Sequence, residues 1–344
     1  MGLHAEILQQ PAVLRSLLSS QGERVNEIAQ SILRRDPRYV FLAARGTSDH
    51  AGLYAKYLLG SENRLPIALA ATSLFSVYGK APDLREALVL GISQSGQSPD
   101  ILTVLEEGRR QGCPTLAIVN DAGSPLAHCA EHVINVSAGV EEAVAATKTY
   151  TAELMAVAML SLAMSGNTSR HADLAAVPDR LQEVLQEDAA IRLAAERYRD
   201  MNQCVVLGRG FNFATAFEWS LKLKELAYVV AAPYSSAEFQ HGPIAIVSPG
   251  FPVLTVAPKD LVLPDLLRVL QRLKQECGAA LVVISDDDEA LGLADTPIRI
   301  PEGPAWTSPM VAIVAAQLFC YHLTRAKGHD PEAPRGLHKV TRTS

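Results

Sequence analysis

The 344-residue sequence lacks several features that would place it in common classes of protein. It has five cysteines, an odd number, scattered without a C-x-x-C: Cys113, Cys129, Cys204, Cys277 and Cys320. This pattern is typical of reduced thiols in the cytosol rather than of a disulfide framework. The N-terminus has no apolar segment of the kind found in a secretory signal. We therefore expect a cytoplasmic protein.

Long hydrophobic runs and an excess of positive charge are also missing. The longest apolar run, residues 154–164, includes Ser161 and is too short to span a bilayer, so it predicts a buried helix. The chain carries 31 Lys and Arg against 37 Asp and Glu, whereas nucleic-acid-binding proteins are usually basic. We expect neither a membrane nor a nucleic acid as a partner.

Motifs for nucleotide cofactors and metals are incomplete. No G-x-x-x-x-G-K-[ST] occurs, which excludes a P-loop NTPase. The glycines of residues 208–210 are followed by Phe213 where a dinucleotide fingerprint needs a third glycine. His128, Cys129 and His132 have a spacing that could chelate zinc, but no further Cys/His cluster is nearby in the sequence, so a partly exposed helix face is preferred. The sequence predicts no cofactor and no metal.

Short apolar segments alternate with helical patterns along most of the chain. An amphipathic helical arm (1–37) comes first, and strands are then predicted at 39–44, 88–92, 115–119 and 132–136. Strands that alternate with helices predict a parallel sheet with helices on both faces, an α/β fold.

The same order of elements returns in the second half. Gly46 and Gly210 are 164 positions apart, and the apolar pairs at 89–90 and 253–254 have the same separation. A period this long indicates a domain duplication rather than a solenoid. We predict an N-terminal arm, two α/β domains joined by a helical connector, and a C-terminal tail, at 1–37, 38–167, 168–200, 201–330 and 331–344.

A polar loop, residues 93–98, follows the second predicted strand. Ser98, Pro99 and Asp100 have the order of an N-cap, a first helical residue and an acidic first turn. Hydroxyl groups, a glycine turn and the N–H groups of a helix start can cradle an anion. Capping explains only Ser98, so we favour a phosphate cradle. Residues 46–48 form a second polar segment, after the first predicted strand. It lies at the same sheet edge, where ligands bind in doubly wound folds.

Charged residues recur on one helix in the second domain. Glu218, Lys222 and Glu225 are spaced at i, i+4 and i+7, so they share a face. A solvated, salt-bridged face is the simplest interpretation of that spacing. However, an apolar strand with a glycine turn precedes the helix, and His241 follows it in a Gly-Pro turn. Carboxylate, ammonium and imidazole groups together can transfer protons.

Six segments in this order carry a family resemblance: Gly46-Thr47-Ser48, Ser93-Gln94-Ser95-Gly96, Ala145-Ala146-Thr147-Lys148, Leu221-Lys222-Leu223-Lys224-Glu225, 238–243 and 335–339. From about residue 38 onward the chain resembles the sugar isomerase (SIS) family. The resemblance is closest to the isomerase half of glutamine–fructose-6-phosphate aminotransferases and to SIS-type glucosamine-6-phosphate deaminases. It implies two tandem SIS domains, each a parallel sheet between layers of helices.

The resemblance also implies which residues bind the substrate, an amino-hexose phosphate. The family's contacts to phosphate and hydroxyl groups match Thr47, Ser48, Ser93, Gln94, Ser95 and Ser98. Val144 matches a backbone contact to the sugar, and Glu218 matches a carboxylate that lines the site.

The catalytic roles come from the same resemblance. Glu225 matches the carboxylate that moves a proton between C1 and C2, and Lys222 matches a residue that assists it. His241 matches the group that opens the sugar ring. Lys339 matches the tail lysine that meets the substrate carbonyl, and Arg335 matches its partner in the tail. A carboxylate in a closed cleft can move such a proton without a metal.

Differences within the family favour one activity. The sequence shows no cysteine-bearing glutaminase domain before residue 38, so we do not expect the glutamine-dependent synthesis. Segments 46–51, 93–100 and 337–341 instead resemble the deaminases. We predict that open-chain glucosamine 6-phosphate loses its C2 proton to Glu225. The enamine then tautomerises to a ketimine, and water releases ammonia and fructose 6-phosphate.

Two alternatives stay open. A sister enzyme could act on galactosamine 6-phosphate or a fructosyl-amine phosphate with the same site. A non-catalytic sensor of sugar phosphates would need the polar residues of the serine loop (residues 93–98) but not Glu225, His241 and Lys339 together. The resemblance further implies a homodimer with shared active sites, in which His241 completes the site of the neighbouring subunit.

Overall fold

A computed structural model describes residues 2–339 of the chain. The last five residues of the predicted tail, including Val340 and Thr341, lie outside this described part. The strands are β1 (Tyr39–Ala43), β2 (Ile67–Leu69), β3 (Ala87–Ser93), β4 (Thr115–Val119), β5 (His132–Asn135), β6 (Gln203–Gly208), β7 (Val230–Ser235), β8 (Pro252–Val256), β9 (Ala280–Ser285) and β10 (Thr296–Arg299).

Helices connect these strands throughout the described residues. They are α1 (Leu3–Arg34), α2 (Gly46–Asn63), α3 (Ser73–Ser76), α4 (Pro99–Arg110), α5 (Pro125–Cys129), α6 (Lys148–Ser165), α7 (His171–Ala175), α8 (Val177–Gln186), α9 (Asp188–Glu196), α10 (Phe213–Ala227), α11 (Ser236–Phe239), α12 (Leu263–Gln275), α13 (Asp288–Leu293) and α14 (Ser308–Ala326). Short 3-10 turns occur at Thr168–Arg170, Gly210–Asn212, Pro243–Ile246 and Ala305–Thr307.

The strands form two parallel five-stranded sheets of one topology. The first has the order β2-β1-β3-β4-β5, and the second has the order β7-β6-β8-β9-β10. Each strand of the first sheet therefore has a counterpart at the same place in the second, and all the recorded pairings are parallel. The predicted α/β fold and its duplication are confirmed.

The sequence prediction missed one edge strand in each sheet. β2 has three residues, of which two are exposed, so it carries no alternation of apolar and polar side chains. β7 contains Pro233, which lacks the N–H group that an interior strand needs and is tolerated at a sheet edge. Edge strands of this kind have a weak sequence signal because only one side of each pairs with a neighbour.

Apolar packing fixes the polar ends of the strands. All seven residues of β3 are buried, so the strand ends at Ser93 with its backbone held inside the core. Gly108 of α4 lies so close to this strand that an added Cβ would be 2.7 Å from a methyl carbon of Val89. The C-terminal part of α4 is therefore packed tightly against β3.

Two helices are buried almost all round, one packed within each half of the fold. The apolar run at 154–164 lies in α6, which confirms the predicted buried helix. α14 is its counterpart after the second sheet and is equally apolar. No helix among residues 2–339 is long and apolar enough to cross a membrane.

The contacts divide the described chain into two compact units. The N-sheet unit contains residues 12–141, 148–175 and 338–339, and the C-sheet unit contains 2–11, 142–147 and 176–337. Each unit holds one of the two sheets. The boundaries predicted from the sequence at 38–167 and 201–330 describe contiguous domains, and they stay a prediction.

Candidate functional site

Three charged residues meet on α10 in the C-sheet unit. Glu218 and Lys222 are buried, while 23% of the Glu225 side chain is exposed. The Nζ atom of Lys222 lies 2.6 Å from Oε2 of Glu225 and 3.4 Å from Oε1 of Glu218. The three residues therefore share a face, as their spacing predicts. They do not form a solvated surface ion pair, because two of them are enclosed by protein.

The charge on Lys222 depends on its two neighbours. Burial alone would lower the pKa of Lys222, but the carboxylates of Glu218 and Glu225 outweigh burial and raise that pKa above its ordinary value. A lysine that stays charged donates hydrogen bonds and can orient Glu225, but it cannot accept a proton. The partly exposed Glu225 is thus the member of this group that can act as a base.

The apolar face of α10 holds this charged group in place. Trp219, Leu223 and Leu226 are buried on the helix. The Trp219 ring packs edge-on against Phe319 of α14, with 5.7 Å between the ring centroids. Because the apolar face of α10 is packed, the helix cannot shift, and its charged side chains have few alternative rotamers. This is the condition for a preorganised site.

The C-terminal tail is attached to the end of the same helix. Tyr228 caps α10 in the left-handed conformation, with φ of +54°. The guanidinium carbon of Arg335 lies 3.8 Å from the centre of the Tyr228 ring, and the Arg335 N–H donates to the Tyr228 hydroxyl at 2.9 Å. Arg335 is exposed. The sequence analysis missed Tyr228, because a tyrosine at a helix end is usually a packing residue.

His241 lies in an exposed turn rather than among the α10 charges of its unit. Its N–H donates to the carbonyl of Glu238 at 3.0 Å, and Gly242 follows with φ of +138°. Phe239 is fully buried against Tyr234, with 5.5 Å between ring centroids. The turn is therefore anchored on one side, and its imidazole faces outward.

In the N-sheet unit, the serine loop connects β3 to α4. The Gly96 N–H donates to Oγ of Ser93 at 3.2 Å, and the Gln97 N–H donates to Oγ of Ser95 at 3.3 Å. Each of these hydroxyls accepts a backbone bond and keeps its own proton to donate. Gln94, also in the loop, is half-buried. The loop therefore offers hydroxyl donors without a cationic side chain of its own.

Ser98 is at the N-cap position of α4 but does not cap the helix with its side chain. Ser98 occupies the N-cap position and Pro99 follows it, as the sequence predicts, but the Ser98 side chain makes no capping hydrogen bond. Asp100 is buried and accepts from Nε of Arg45 at 2.7 Å. The Ser98 hydroxyl is thus not used by the helix, and Arg45 ties the neighbouring helix start to α4.

Thr47 and Ser48 belong to the first turn of α2 rather than to a loop before it. Thr47 is half-buried. Ser48 is buried and donates to Oε1 of Glu153 on α6 at 2.8 Å. Because this bond uses the only hydroxyl proton of Ser48, a contact from Ser48 to phosphate requires the bond to break.

The loop that contains Val144 is held by a carboxylate from α1. Val144 is half-buried, and residues 142–147 belong to the C-sheet unit. Oε1 of the fully buried Glu6 accepts from the N–H of Glu142 at 2.5 Å and from that of Ala143 at 3.4 Å. Two such bonds to a carboxylate fix the backbone just before Val144.

The tail lysine lies against a buried carboxylate in the N-sheet unit. Nζ of Lys339 is 2.7 Å from Oε2 of Glu141, which is itself buried. Glu141 also accepts from the N–H and the hydroxyl of Thr149 at 3.1 and 2.8 Å. The sequence prediction did not include Glu141. The acidic pair at 141–142, just before the Ala-Ala-Thr-Lys segment, is the signal that could have found it.

The predicted site residues fall into two groups by unit. The N-sheet unit carries Thr47, Ser48, Ser93, Gln94, Ser95, Ser98 and Lys339. The C-sheet unit carries Val144, Glu218, Lys222, Glu225, His241 and Arg335.

The helix face expected for His128, Cys129 and His132 is wrong. α5 ends at Cys129, and His132 is the first residue of β5. The Nδ1 atom of His128 lies 2.9 Å from the carbonyl oxygen of Ser124, and burial lowers the pKa of His132. The helix is one turn long because Ala130 leaves the helical conformation, so the i, i+4 spacing does not put these side chains on one face.

Comparisons with known proteins agree with this architecture. The glutamine–fructose-6-phosphate aminotransferase (isomerizing) of Thermococcus kodakarensis is 33% identical over 344 residues, which cover 97% of this chain and 56% of that protein. The chain thus spans little more than half the length of that relative. A crystal structure of a candidate phosphosugar isomerase from Silicibacter pomeroyi DSS-3 has a TM-score of 0.88 and 33% identity, and the match covers 96% of this chain and 100% of that one.

A more distant structure shares the fold. The glucosamine-6-phosphate deaminase of Thermotoga maritima has a TM-score of 0.71 at 20% identity, over 96% of this chain and 100% of that chain. The family model described as SIS domain matches two segments, residues 33–163 and 197–326, one for each sheet. The chain therefore belongs to the SIS family and contains two tandem SIS domains.

Proposed function

We propose that this chain isomerises an amino-hexose phosphate and releases ammonia, with glucosamine 6-phosphate as substrate and fructose 6-phosphate as product. The observation that carries the proposal is the group of charged residues on α10, in which a buried, charged Lys222 holds the partly exposed carboxylate of Glu225. Membership of the SIS family and the resemblance of segments 46–51 and 93–100 to the deaminases support the choice of reaction.

The reaction needs one base that acts on two neighbouring carbons. Glu225 takes the C2 proton of the open-chain sugar and returns a proton to C1, which converts the aldose amine into a C2 imine. Water then adds to the imine carbon, and the C–N bond breaks to give the ketone and ammonia. Lys222 keeps the carboxylate oriented through its bond to Oε2 at 2.6 Å. A carboxylate in this role needs no metal.

The serine loop is the proposed phosphate site. The hydroxyls of Ser93 and Ser95 keep their protons while they accept backbone bonds, and the Ser98 hydroxyl makes no capping bond. The N-terminus of α4, a helix of 12 residues, adds the positive end of a helix dipole. Phosphate binding through N–H and O–H donors leaves the reaction chemistry to other residues.

The tail lysine and the exposed histidine have the remaining proposed roles. Lys339 meets the substrate carbonyl after its bond to Glu141 breaks. His241 promotes opening of the sugar ring. Arg335 and Glu218 support these groups, and Val144 supplies a backbone contact.

Ammonia release is the direct test of the proposed function. Purified protein is assayed with glucosamine 6-phosphate, galactosamine 6-phosphate, a fructosyl-amine phosphate and glucose 6-phosphate. We expect ammonia and fructose 6-phosphate in equal amounts from the first compound. If the protein turns over another amine on the panel faster, that compound is the substrate instead. Binding without turnover of any of them would favour a sugar-phosphate sensor.

Activity is expected to persist in EDTA after dialysis. The proposed chemistry uses a carboxylate, a lysine and an imidazole, none of which needs a metal or a nicotinamide. The measurement is the rate of ammonia release before and after chelation. A loss that returns only when a divalent ion is added would contradict this prediction.

Replacing Gly96 by Ala is expected to weaken substrate binding by at least about tenfold, which corresponds to about 1.4 kcal/mol. Gly96 has φ of +60°, and a Cβ at this position would lie 2.1 Å from Oγ of Ser124. The loop would have to move away from the position that presents its hydroxyls. The measurement is KM for the substrate together with thermal unfolding.

Gly112→Ala is the matched control for this change. Gly112 also has a positive φ, of +78°, but a Cβ there meets no atom within 4 Å. Both variants bear the backbone strain of a left-handed residue, about 1–2 kcal/mol. Only Gly96→Ala should raise KM. Equal KM values in both variants would show that the serine loop does not bind the substrate.

A further inference from the structure

Three side chains that are far apart in the sequence meet in the C-sheet unit. They are His4 on α1, Asp188 at the start of α9 and His322 on α14. Nε2 of His4 lies 3.0 Å from Oδ2 of Asp188, and Nε2 of His322 lies 2.6 Å from Oδ1 of the same residue. One ligand atom from each residue lies within 4.8 Å of the other two. None of the three has a role in the proposed reaction.

The surroundings hold this His-Asp-His cluster in a defined geometry. The His4 ring stacks on Tyr321, with 4.8 Å between centroids and 27° between planes. Both oxygens of the Asp188 carboxylate are in contact with an imidazole, Oδ2 with His4 and Oδ1 with His322. The three side chains are therefore already oriented toward one another.

We propose that His4, Asp188 and His322 bind a divalent transition-metal ion of the Zn²⁺ type, with water completing the coordination. Two imidazoles and one carboxylate are a common protein ligand set for zinc, and imidazole ligands favour zinc, copper or nickel over magnesium or calcium. Both histidines present the same atom, Nε2, to the carboxylate.

The two contacts to Asp188 are close to the separations that an ion requires, and all three ligand atoms lie within 4.8 Å of one another. Zinc bonds of about 2.0–2.2 Å in a tetrahedral arrangement put neighbouring ligand atoms about 3.3–3.5 Å apart. The observed contacts of 2.6 and 3.0 Å to Asp188 must open by less than about 1 Å to admit the ion. Such a change is within the reach of side-chain rotation.

The cluster is also accessible to an ion and to water. The side chains of His4, Asp188 and His322 are 31%, 29% and 10% exposed. A bound ion would join the start of α1, the start of α9 and the body of α14, which are separate in the sequence. Its expected effect is on stability rather than on the reaction, in keeping with the prediction that activity persists in EDTA.

Metal binding by the full chain tests the proposal. Protein freed of metal by chelation is titrated with Zn²⁺ by calorimetry, and with Co²⁺, whose visible absorption reports the ligands. We expect one equivalent of metal, a rise in the thermal midpoint with Zn²⁺, and an affinity at least about tenfold lower in His4→Gln and Asp188→Asn. Both variants are also melted without metal, so that a folding defect is recognised separately.

Cys129→Ser is the matched control, because Cys129 belongs to the other spaced group of metal-ligating residues and lies in the N-sheet unit. Its affinity for Zn²⁺ should equal that of the unchanged chain. The proposal is overturned if the unchanged chain binds no stoichiometric metal, which would leave the cluster as a hydrogen-bonded bridge. It is also overturned if His4→Gln binds normally while Cys129→Ser does not.

Discussion

Glu225→Gln is expected to lower turnover of the amino-hexose phosphate by about 10²- to 10⁴-fold, the usual cost of losing a general base. The amide keeps the shape of the carboxylate but cannot accept the C2 proton. Incorporation of deuterium from D₂O at C2 should stop, while binding of the sugar phosphate, measured by calorimetry, should persist through the serine loop. Exchange and turnover are followed on the same samples.

The structure offers reasons to expect this variant to fold. Lys222 would keep Glu218 as a buried counter-charge, 3.4 Å away. Glu276→Gln is the control, since it removes an exposed carboxylate, just after the end of α12, that pairs with Arg272 at 3.2 Å. That control should retain full activity. Near-normal turnover in Glu225→Gln would show that another residue moves the proton.

We propose that the chain assembles as a homodimer in which each active site contains residues of both chains. In a single chain His241 is exposed on its turn, whereas a group that transfers protons works best where water is excluded. A second copy that covered the turn would supply that enclosure. Under this proposal His241 acts on the substrate of the partner chain, while Glu225 and Lys339 act on the substrate of their own chain.

Mixed dimers are expected to recover activity that both parents lack. His241→Ala and Lys339→Ala homodimers should each be nearly inactive. A heterodimer of the two has one site with both changes and one site with neither, so it should reach up to half of normal activity per dimer. Two different affinity tags on co-expressed chains allow the heterodimer to be purified and assayed directly.

A second pair of variants controls for non-specific rescue. Glu225→Gln with Lys339→Ala places one change in each site of the heterodimer, so no activity should return. If the His241→Ala and Lys339→Ala heterodimer forms but stays inactive, His241 acts within its own chain. Light scattering of the unchanged protein measures the assembly itself.

Much of the fold could be predicted because its signals are local. Apolar runs that end in polar loops predicted β1, β3, β4 and β5, and the repeat of Gly46 at Gly210 predicted the duplication. The structure adds that both glycines have positive φ, +54° and +61°, so each supplies the same turn after its strand. The short edge strands β2 and β7 were missed because few of their residues are enclosed.

The candidate site was only partly predictable. The spacing of Glu218, Lys222 and Glu225 placed them on one face, but spacing cannot tell a solvated face from a buried one. The short spacing of His128, Cys129 and His132 suggested a common face that does not form, because a helix ends between them. Sequence distance is a guide to contact only while the chain keeps one regular conformation.

The sequence by itself determined the class of fold, its duplication and the residue types of the polar loops, because periodicity and turn chemistry act between near neighbours. Only the tertiary structure decided that Lys222 is buried between two carboxylates, and that Lys339 meets Glu141, 198 positions away. It also brought His4, Asp188 and His322 together. Such contacts depend on which helices pack against which parts of the sheets, and that choice of partners leaves no periodic trace in the order of residues.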